Sequence, residues 1–239
     1  MAEETSRGRR VAFFGGSFDP PHLGHLAVAR AAQAALKLDT VLFAPVGAQP
    51  LKPLGSTASY EDRLALTRLA IADDAGFAVS LADAPKPGGT PNYTLDTLED
   101  LREDLPPGSA LFCLMGADSF FGLRRWHRAA EIPFVAPLIV ASRPGQLLDG
   151  LKAALPEGLS LESGAGEEQI VAGVEIRTCT LRNAGGQATP FYLLPGLNVE
   201  ISASDIRAGI QAAMEGGGGC QEYLPEAVFE AIRSRGLYR

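Results

Sequence analysis

His22 and His25 stand three residues apart, with Gly24 between them, at the end of the run Gly15-Gly16-Ser17-Phe18-Asp19-Pro20-Pro21. The apolar segment before that run, Val11-Ala12-Phe13-Phe14, reads as a buried strand, and Leu26 to Ala32 after it reads as a helix. A glycine turn between strand and helix lets the backbone N–H groups of Gly15, Gly16, Ser17 and Phe18 approach a phosphate closely. Imidazoles at i and i+3 share one face of the helix mouth. The arrangement suits binding of a polyphosphate and stabilisation of charge as its chain is cut. Two other readings stand beside it. The pair is then a helix start with no chemical role, or it joins His127, the third histidine, in a zinc site. No ligand spacing in the chain supports the zinc site.

A second constellation is Ile201-Ser202-Ala203-Ser204-Asp205-Ile206-Arg207. Two hydroxyls and a string of free N–H groups lie at a helix start, with a guanidinium one turn later. By local chemistry this is an anion site. The plainer reading is a serine-capped helix with a surface arginine.

Strand and helix patterns alternate around these sites. Thr40 to Ala44 reads as a strand ending at Pro45, Tyr60 to Ala72 as a helix, and Phe77 to Ser80 as a short strand. A helix begins at Asn92 or Thr94, with Leu95, Leu98 and Leu101 on one face. Ala110 to Met115 and Leu138 to Ala141 are apolar strands, the latter stopped by Arg143-Pro144-Gly145. Near-continuous apolar strands alternating with helices predict an α/β fold: a Rossmann-like, doubly wound parallel sheet of about five to six strands with flanking helices. Residues 1–10 are polar and read as a flexible tail, with 11–239 as one domain. The Gly-, Ala- and Glu-rich section at about 145–189 reads as an insertion or mobile lobe, with Glu162 to Gly166 loop-like and Val174 to Thr178 a strand candidate. Phe191 to Leu194 is the last strand. A helical segment, 202–239, follows, broken by four glycines at 216–219 and closed by a helix from Pro225 to Arg235.

The 239 residues, 46% of them hydrophobic, suffice for a real core. A formal net charge of −7 argues against a protein built to hold long nucleic acid. It leaves small anionic ligands open, since a helix N-terminus and a few cations suffice for those. The three cysteines, Cys113, Cys179 and Cys220, form no C-x-x-C pair and fit a reducing, cytoplasmic setting. No signal peptide and no membrane span are expected, because no apolar run approaches ~18 residues.

Taken together, the glycine turn with H-x-G-H and the C-terminal I-S-x-S-x-I-R resemble the nucleotidyltransferase superfamily of adenylyltransferases. Three central blocks narrow the resemblance to the bacterial nicotinate-nucleotide adenylyltransferases: Pro91-Asn92-Tyr93-Thr94-Leu95-Asp96-Thr97-Leu98, Met115-Gly116-Ala117-Asp118-Ser119 and Trp126-His127. The ending from Leu224-Pro225 to Gly236-Leu237-Tyr238-Arg239 is similar too. The likeness covers residues 10–145 and 190–239. H-x-G-H alone also marks class I aminoacyl-tRNA synthetases, but the joint set in this order is specific, and no anticodon domain or basic surface is apparent. There are two departures. The family's loop histidine before Lys52 is Leu51 here, so any role of that histidine is absent. The family's usual threonine is Ser204, which keeps the hydroxyl.

The resemblance implies adenylyl transfer from ATP to nicotinate mononucleotide, giving nicotinate adenine dinucleotide and pyrophosphate. The attacking phosphate needs no general base, since the second pKa of a phosphate monoester is about 6. The protein's work is positioning and charge stabilisation. His22 and His25 would contact the α-phosphate and the departing β-phosphate, with Lys52 over the phosphates. Ser202, Ser204 and Arg207, with Ile201, would hold the β- and γ-phosphates, and Gly24, Gly116 and Asp118 would face the nucleotide. Trp126 would stack on the pyridine, Thr94 and the His127 backbone would read its carboxylate, and Tyr93 would belong to the same mononucleotide site. Mg2+ would be held by phosphates and water, with no protein side chain as ligand. The alternatives are nicotinamide mononucleotide or another acceptor such as phosphopantetheine. More remote is a regulator that binds ATP without turnover. The expected partners are small molecules, with no nucleic acid or membrane, and nothing selects between a monomer and a homo-oligomer.

Overall fold

The computed structural model describes residues 8–52, 55–142, 148–197, 202–214 and 220–239, with backbone alone at 148–149, 163–167 and 213–214. Residues 1–7 of the expected tail, the Arg143-Pro144-Gly145 stop and the 216–219 glycine break lie outside these residues.

Eight strands form one sheet: β1 (Arg10–Gly16), β2 (Thr40–Pro45), β3 (Phe77–Val79), β4 (Ala110–Gly116), β5 (Leu138–Ala141), β6 (Leu159–Val171), β7 (Val174–Asn183) and β8 (Ala188–Leu194). Their order is β3-β2-β1-β4-β5-β8-β7-β6. The six strands from β3 to β8 in that order are mutually parallel. The last two, β7 and β6, add on antiparallel. The parallel, Rossmann-like core matches the expected class, but the count exceeds the five to six strands expected. The surplus comes from the section read as an insertion. Residues 159–183 form a hairpin that continues the sheet, and Glu162 to Gly166, read as loop, lies within β6. The pairing register shifts between Glu162 and Glu167. That shift breaks the clean alternation by which a strand is recognised.

Helices cover both faces because successive side chains on each strand point opposite ways. On β1, Phe14 joins Ala12, Leu26, Ala29, Ala32 and Phe43 on one face, together with the C-terminal residues Ile206, Val228 and Ile232. Phe13 joins Leu95, Leu98, Cys113, Met115 and Phe120 on the other. The first face is covered by α1 (Leu23–Leu36), α7 (Ala203–Met214) and α8 (Glu226–Arg235). The second carries α3 (Thr94–Asp104), α4 (Ala117–Phe121), α5 (Ile132–Val135) and α6 (Leu148–Ala154). The remaining helix, α2 (Tyr60–Ala70), starts at a Ser59 cap whose hydroxyl accepts the Asp62 N–H at 3.1 Å. β1 begins at Arg10, inside the stretch assigned to the tail. The Arg10 N–H donates to Asp39 Oδ2 at 2.7 Å, and Arg9 donates to Thr40 Oγ1 at 2.7 Å. Among the described residues no helix is long and apolar enough to cross a membrane.

Candidate active site

The C-terminal ends of β1, β4 and β5 open into a cavity of about 930 Å³. Ligands of open parallel sheets bind at that edge. The expected residues Gly15, Gly16, Ser17, Phe18, His22, Gly24, His25, Lys52, Tyr93, Thr94, Gly116, Asp118, Trp126, His127, Ser202, Ser204 and Arg207 all line it. Ile201 lies outside the described residues.

The glycine turn is shaped by what stands behind it. A side-chain carbon on Gly15 would sit 2.8 Å from the Phe13 ring, so no larger residue fits without displacing the core. His22 is the N-cap of α1, in extended conformation. Its backbone N–H donates to His25 Nδ1 at 3.2 Å. His25 therefore carries its proton on Nε2 when neutral. The two rings lie 3.8 Å apart, and the Phe18 ring closes on His25 at 4.9 Å. Burial lowers the His22 pKa to about 4. Burial, and then His22 itself, hold His25 well below the usual histidine range. Both imidazoles are thus neutral near pH 7. His22 Nδ1 is buried with no hydrogen-bond partner.

Three cations gather beside this pair. Arg63, only 2% exposed, donates to Ser17 O at 2.6 Å and to Val46 O at 2.8 Å, tying the loops after β1 and β2 together. Arg207 donates to Asp19 O at 2.7 Å and to Ser204 Oγ at 3.1 Å. Lys52 Nζ donates to Ser17 Oγ at 2.9 Å. Burial and then the nearby Arg207 charge lower the Lys52 pKa, with Arg63 adding to the effect. Positive charges that press on one another around a loop of N–H groups make a site for a polyanion. Asp19 offsets part of that charge: its Oδ2 stands 4.0 Å from the Arg207 guanidinium, and its two carboxylate oxygens accept the Thr57 and Ala58 N–H groups at 2.6 and 3.1 Å. Ser202 turns out to be the α7 cap, accepting the Asp205 N–H at 3.2 Å. The serine cap is present as read, and Ser204 and Arg207 line the cavity. Leu51, in place of the family's histidine, is 46% exposed.

The remaining wall is aromatic. Tyr93 lies against His127 with ring centroids 4.5 Å apart. Trp126 is half-buried and rests on the core that holds Leu95 and Phe120. Thr94 opens α3, and Asp118 stands in the first turn of α4. No atom lies within 4 Å of the place where a Gly116 side chain would be, so that backbone is open to a close-fitting ligand. Among the described residues no three His, Cys, Asp or Glu side chains form a cation-binding group. Cys113 also reaches the cavity, but burial pushes its thiol up to about 12, which removes it as a nucleophile.

Sequence reasoning assigned no role to Arg63, Asp83, Asn92 or Arg125. Asn92 donates to Ala84 O at 3.0 Å and accepts the Ala48 N–H at 3.1 Å, joining two loops at the cavity rim. Arg63 was legible as a charge on the helix face that buries Leu66, Thr67 and Ala70. Asp83, in a loop without periodicity, offered no such signal.

A cytidylyltransferase-like family model matches residues 13–209. A relative from Gloeobacter violaceus, named "Probable nicotinate-nucleotide adenylyltransferase", is 38% identical over 231 residues, spanning 97% of each chain. One of the same name from Solibacter usitatus is 33% identical over 229 residues, 96% of this chain and 99% of its own. The solved structure of Plasmodium falciparum nicotinic acid mononucleotide adenylyltransferase complexed with NaAD matches 96% of this chain and 97% of that one. The TM-score is 0.66 at 14% identity, a likeness of fold.

Proposed function

The chain belongs to the cytidylyltransferase-like family, and with its nicotinate-nucleotide adenylyltransferase relatives we propose that it joins ATP to nicotinate mononucleotide, releasing pyrophosphate. The observation that carries this reading is one cavity lined both by the phosphate-binding group, His22, His25, Lys52 and Arg207, and by the aromatic group, Tyr93, Trp126 and His127. ATP would lay its phosphates against the N–H groups of Gly15 to Phe18. The mononucleotide would place its pyridine on Trp126, with Thr94 and the His127 backbone at the carboxylate. That directs its phosphate toward the ATP α-phosphorus.

The phosphate oxygen attacks that phosphorus directly, and the bond to the β-phosphate oxygen breaks. The nucleophile is already ionised near pH 7, so the protein contributes orientation and charge stabilisation. Nε2–H of His25 and the His22 ring would meet the oxygens that gain charge. Lys52 and Arg207 would receive the departing pyrophosphate, with Ser204 beside them. The phosphate-binding wall carries cations, and among the described residues no three His, Cys, Asp or Glu side chains form a cation-binding group. A Mg2+ travelling with ATP would therefore be held by phosphate oxygens and water. It would neutralise part of the leaving-group charge. The cytoplasm suits three unpaired, buried thiols.

The test is pyrophosphate release by the purified protein with ATP and Mg2+, in parallel on nicotinate and nicotinamide mononucleotide. The expected result is a large preference for the nicotinate substrate. Comparable rates would remove the assigned carboxylate contacts, and no release from either would overturn the acceptor.

A further inference from the structure

Asn92 is only 5% exposed and meets three backbone groups from two other segments. Its own N–H donates to Ala48 O at 3.0 Å, and its Oδ1 accepts the Ala48 N–H at 3.1 Å, so both backbone groups of Ala48 are paired by this one residue. Its Nδ2 donates to Ala84 O at 3.0 Å. Ala48 lies in the loop after β2, and Ala84 in the loop after β3. The two loops also touch directly. The Gly47 N–H donates to Asp83 O at 2.7 Å, and a side-chain carbon on Gly47 would sit 2.5 Å from the Pro85 backbone. The Asp83 carboxyl continues the junction. Its Oδ1 accepts the Thr97 hydroxyl, in α3, at 2.5 Å, and its Oδ2 lies 3.6 Å from where a Gly15 side chain would begin, at the glycine turn.

A path of contacts leads from Asn92 in each direction. Ala48 is followed by the turn that the Lys52 N–H closes on Gln49 O at 3.1 Å. From that turn Gln49 Oε1 accepts the Ser17 hydroxyl at 3.3 Å, and Lys52 Nζ donates to Ser17 Oγ at 2.9 Å. The place of Ala48 therefore sets where the Lys52 ammonium stands over the glycine turn. In the other direction Asn92 is followed at once by Tyr93 and by Thr94, the first residue of α3. Holding Ala48 N–H and Ala84 O together takes one acceptor and one donor on a single short side chain. An amide supplies both, and in one orientation only, since turning it would face oxygen with oxygen. A carboxylate lacks the donor, and a serine hydroxyl, being one atom, cannot stand in both places.

We propose that Asn92 is a positioning residue that holds the two substrate halves of the cavity in register, acting on ATP through Lys52 and on the mononucleotide through Tyr93 and Thr94. The inference rests on the adenylyl-transfer reading for what each half holds. Transfer between two bound reactants depends on their relative placement, and an error of about 1 Å costs on the order of a hundredfold in rate. The segments that carry the two halves are distant in the chain, and Asn92 links them directly across 44 residues. Without its side chain the Ala48 N–H and the Ala84 carbonyl lose their partner, and a single hydrogen bond, from the Asn92 N–H to Ala48 O, is left between the α3 start and the Lys52 loop.

The experiment is a double-mutant cycle of Asn92→Ala with Lys52→Ala. The Kd of a non-hydrolysable ATP analogue with Mg2+ is measured by isothermal titration, and the nicotinate mononucleotide KM by pyrophosphate release. Asn92→Ala alone should weaken binding of the analogue about fivefold and raise the mononucleotide KM about fivefold. In the Lys52→Ala background Asn92→Ala should weaken binding of the analogue by less than about twofold, because the group it positions is gone. The mononucleotide KM should still rise about fivefold there, since that effect runs through α3. A residue that merely supports the fold would weaken binding of the analogue by the same factor in both backgrounds. Asn92→Ser keeps one of the two side-chain contacts and should show the same pattern with a smaller effect, so it carries the test if Asn92→Ala folds poorly. The proposal is overturned if the two factors for the analogue are equal, or if the mononucleotide KM does not move. Absence of wild-type turnover on nicotinate mononucleotide would sink the functional reading instead, and the cycle on the ATP analogue would still decide whether Asn92 acts through Lys52.

Discussion

The depressed histidines make nucleotide binding a proton-uptake reaction. The His22 pKa is about 4, so at pH 7 about one molecule in a thousand carries the proton there. A phosphate oxygen bearing one net charge at hydrogen-bond range, about 4 Å between charge centres, contributes roughly 4 kcal/mol at an effective dielectric constant of about 20. At 1.36 kcal/mol per pKa unit, that raises the pKa by about 3, to about 7. The rings are only 3.8 Å apart, so a charge on one suppresses a charge on the other and the pair takes up a single proton. The expected uptake is about half a proton per nucleotide at pH 7 and about 0.9 at pH 6. The complex binds more protons than the free protein, so affinity strengthens as pH falls from 8 toward 6. The assay is isothermal titration of a non-hydrolysable ATP analogue in two buffers of different ionisation enthalpy. The difference in heat between them gives the proton count. His22→Gln, which keeps a neutral N–H donor, should cut the uptake sharply, since burial still holds His25 below the usual histidine range. Heats independent of buffer, with a Kd flat from pH 6 to 8, would refute the reasoning and leave the imidazoles as neutral donors throughout.

The same shift sets a stability slope in the ligand-free protein. His22 titrates near 4 when folded and ~6.5 when unfolded, so its contribution is intact above pH 6.5 and is lost as pH falls to 4. It amounts to about 3 kcal/mol, and thermal melts of His22→Gln should show a shallower acid loss than wild type. His25→Ala should lower kcat far more than it weakens ATP binding, because the pair meets charge that develops in the transition state. An equal loss in both would remove that role. Arg63→Ala should destabilise by at least ~3 kcal/mol, since two charge-assisted hydrogen bonds to buried carbonyls are lost, and should raise the ATP KM. Denaturant unfolding and initial rates check the two effects separately. Trp126→Ala should raise the mononucleotide KM with little change for ATP. An unchanged KM would return Trp126 to a packing role.

What was legible in the sequence was what is local in the chain. His22, Gly24 and His25 belong to one turn, and Ser202, Ser204 and Arg207 to another, so their types and spacing suggested phosphate chemistry before any fold was known, and all six line one cavity. The parallel core was legible because β4 and β5 are buried on both faces and read as unbroken apolar runs. The hairpin was not. β6 is the sheet's free edge, where Glu162 and Glu168 pair with Arg182 and Arg177 across to β7, and an edge strand can carry such charges. That composition resembles a loop until the partner strand is known. The residues that bind one segment to another were the least visible. Arg63 reaches from α2 to the loops after β1 and β2, and Asp83 reaches from the loop after β3 to α3 and to the glycine turn. Each is an ionisable side chain enclosed by the core, and each is there because backbone or hydroxyl groups from remote segments need a partner they cannot find locally. A single sequence shows such a residue only as a polar exception to a pattern. Arg63 interrupts a helix face and could be noticed. Asp83 interrupts nothing, so its importance follows only from the three segments that converge on it.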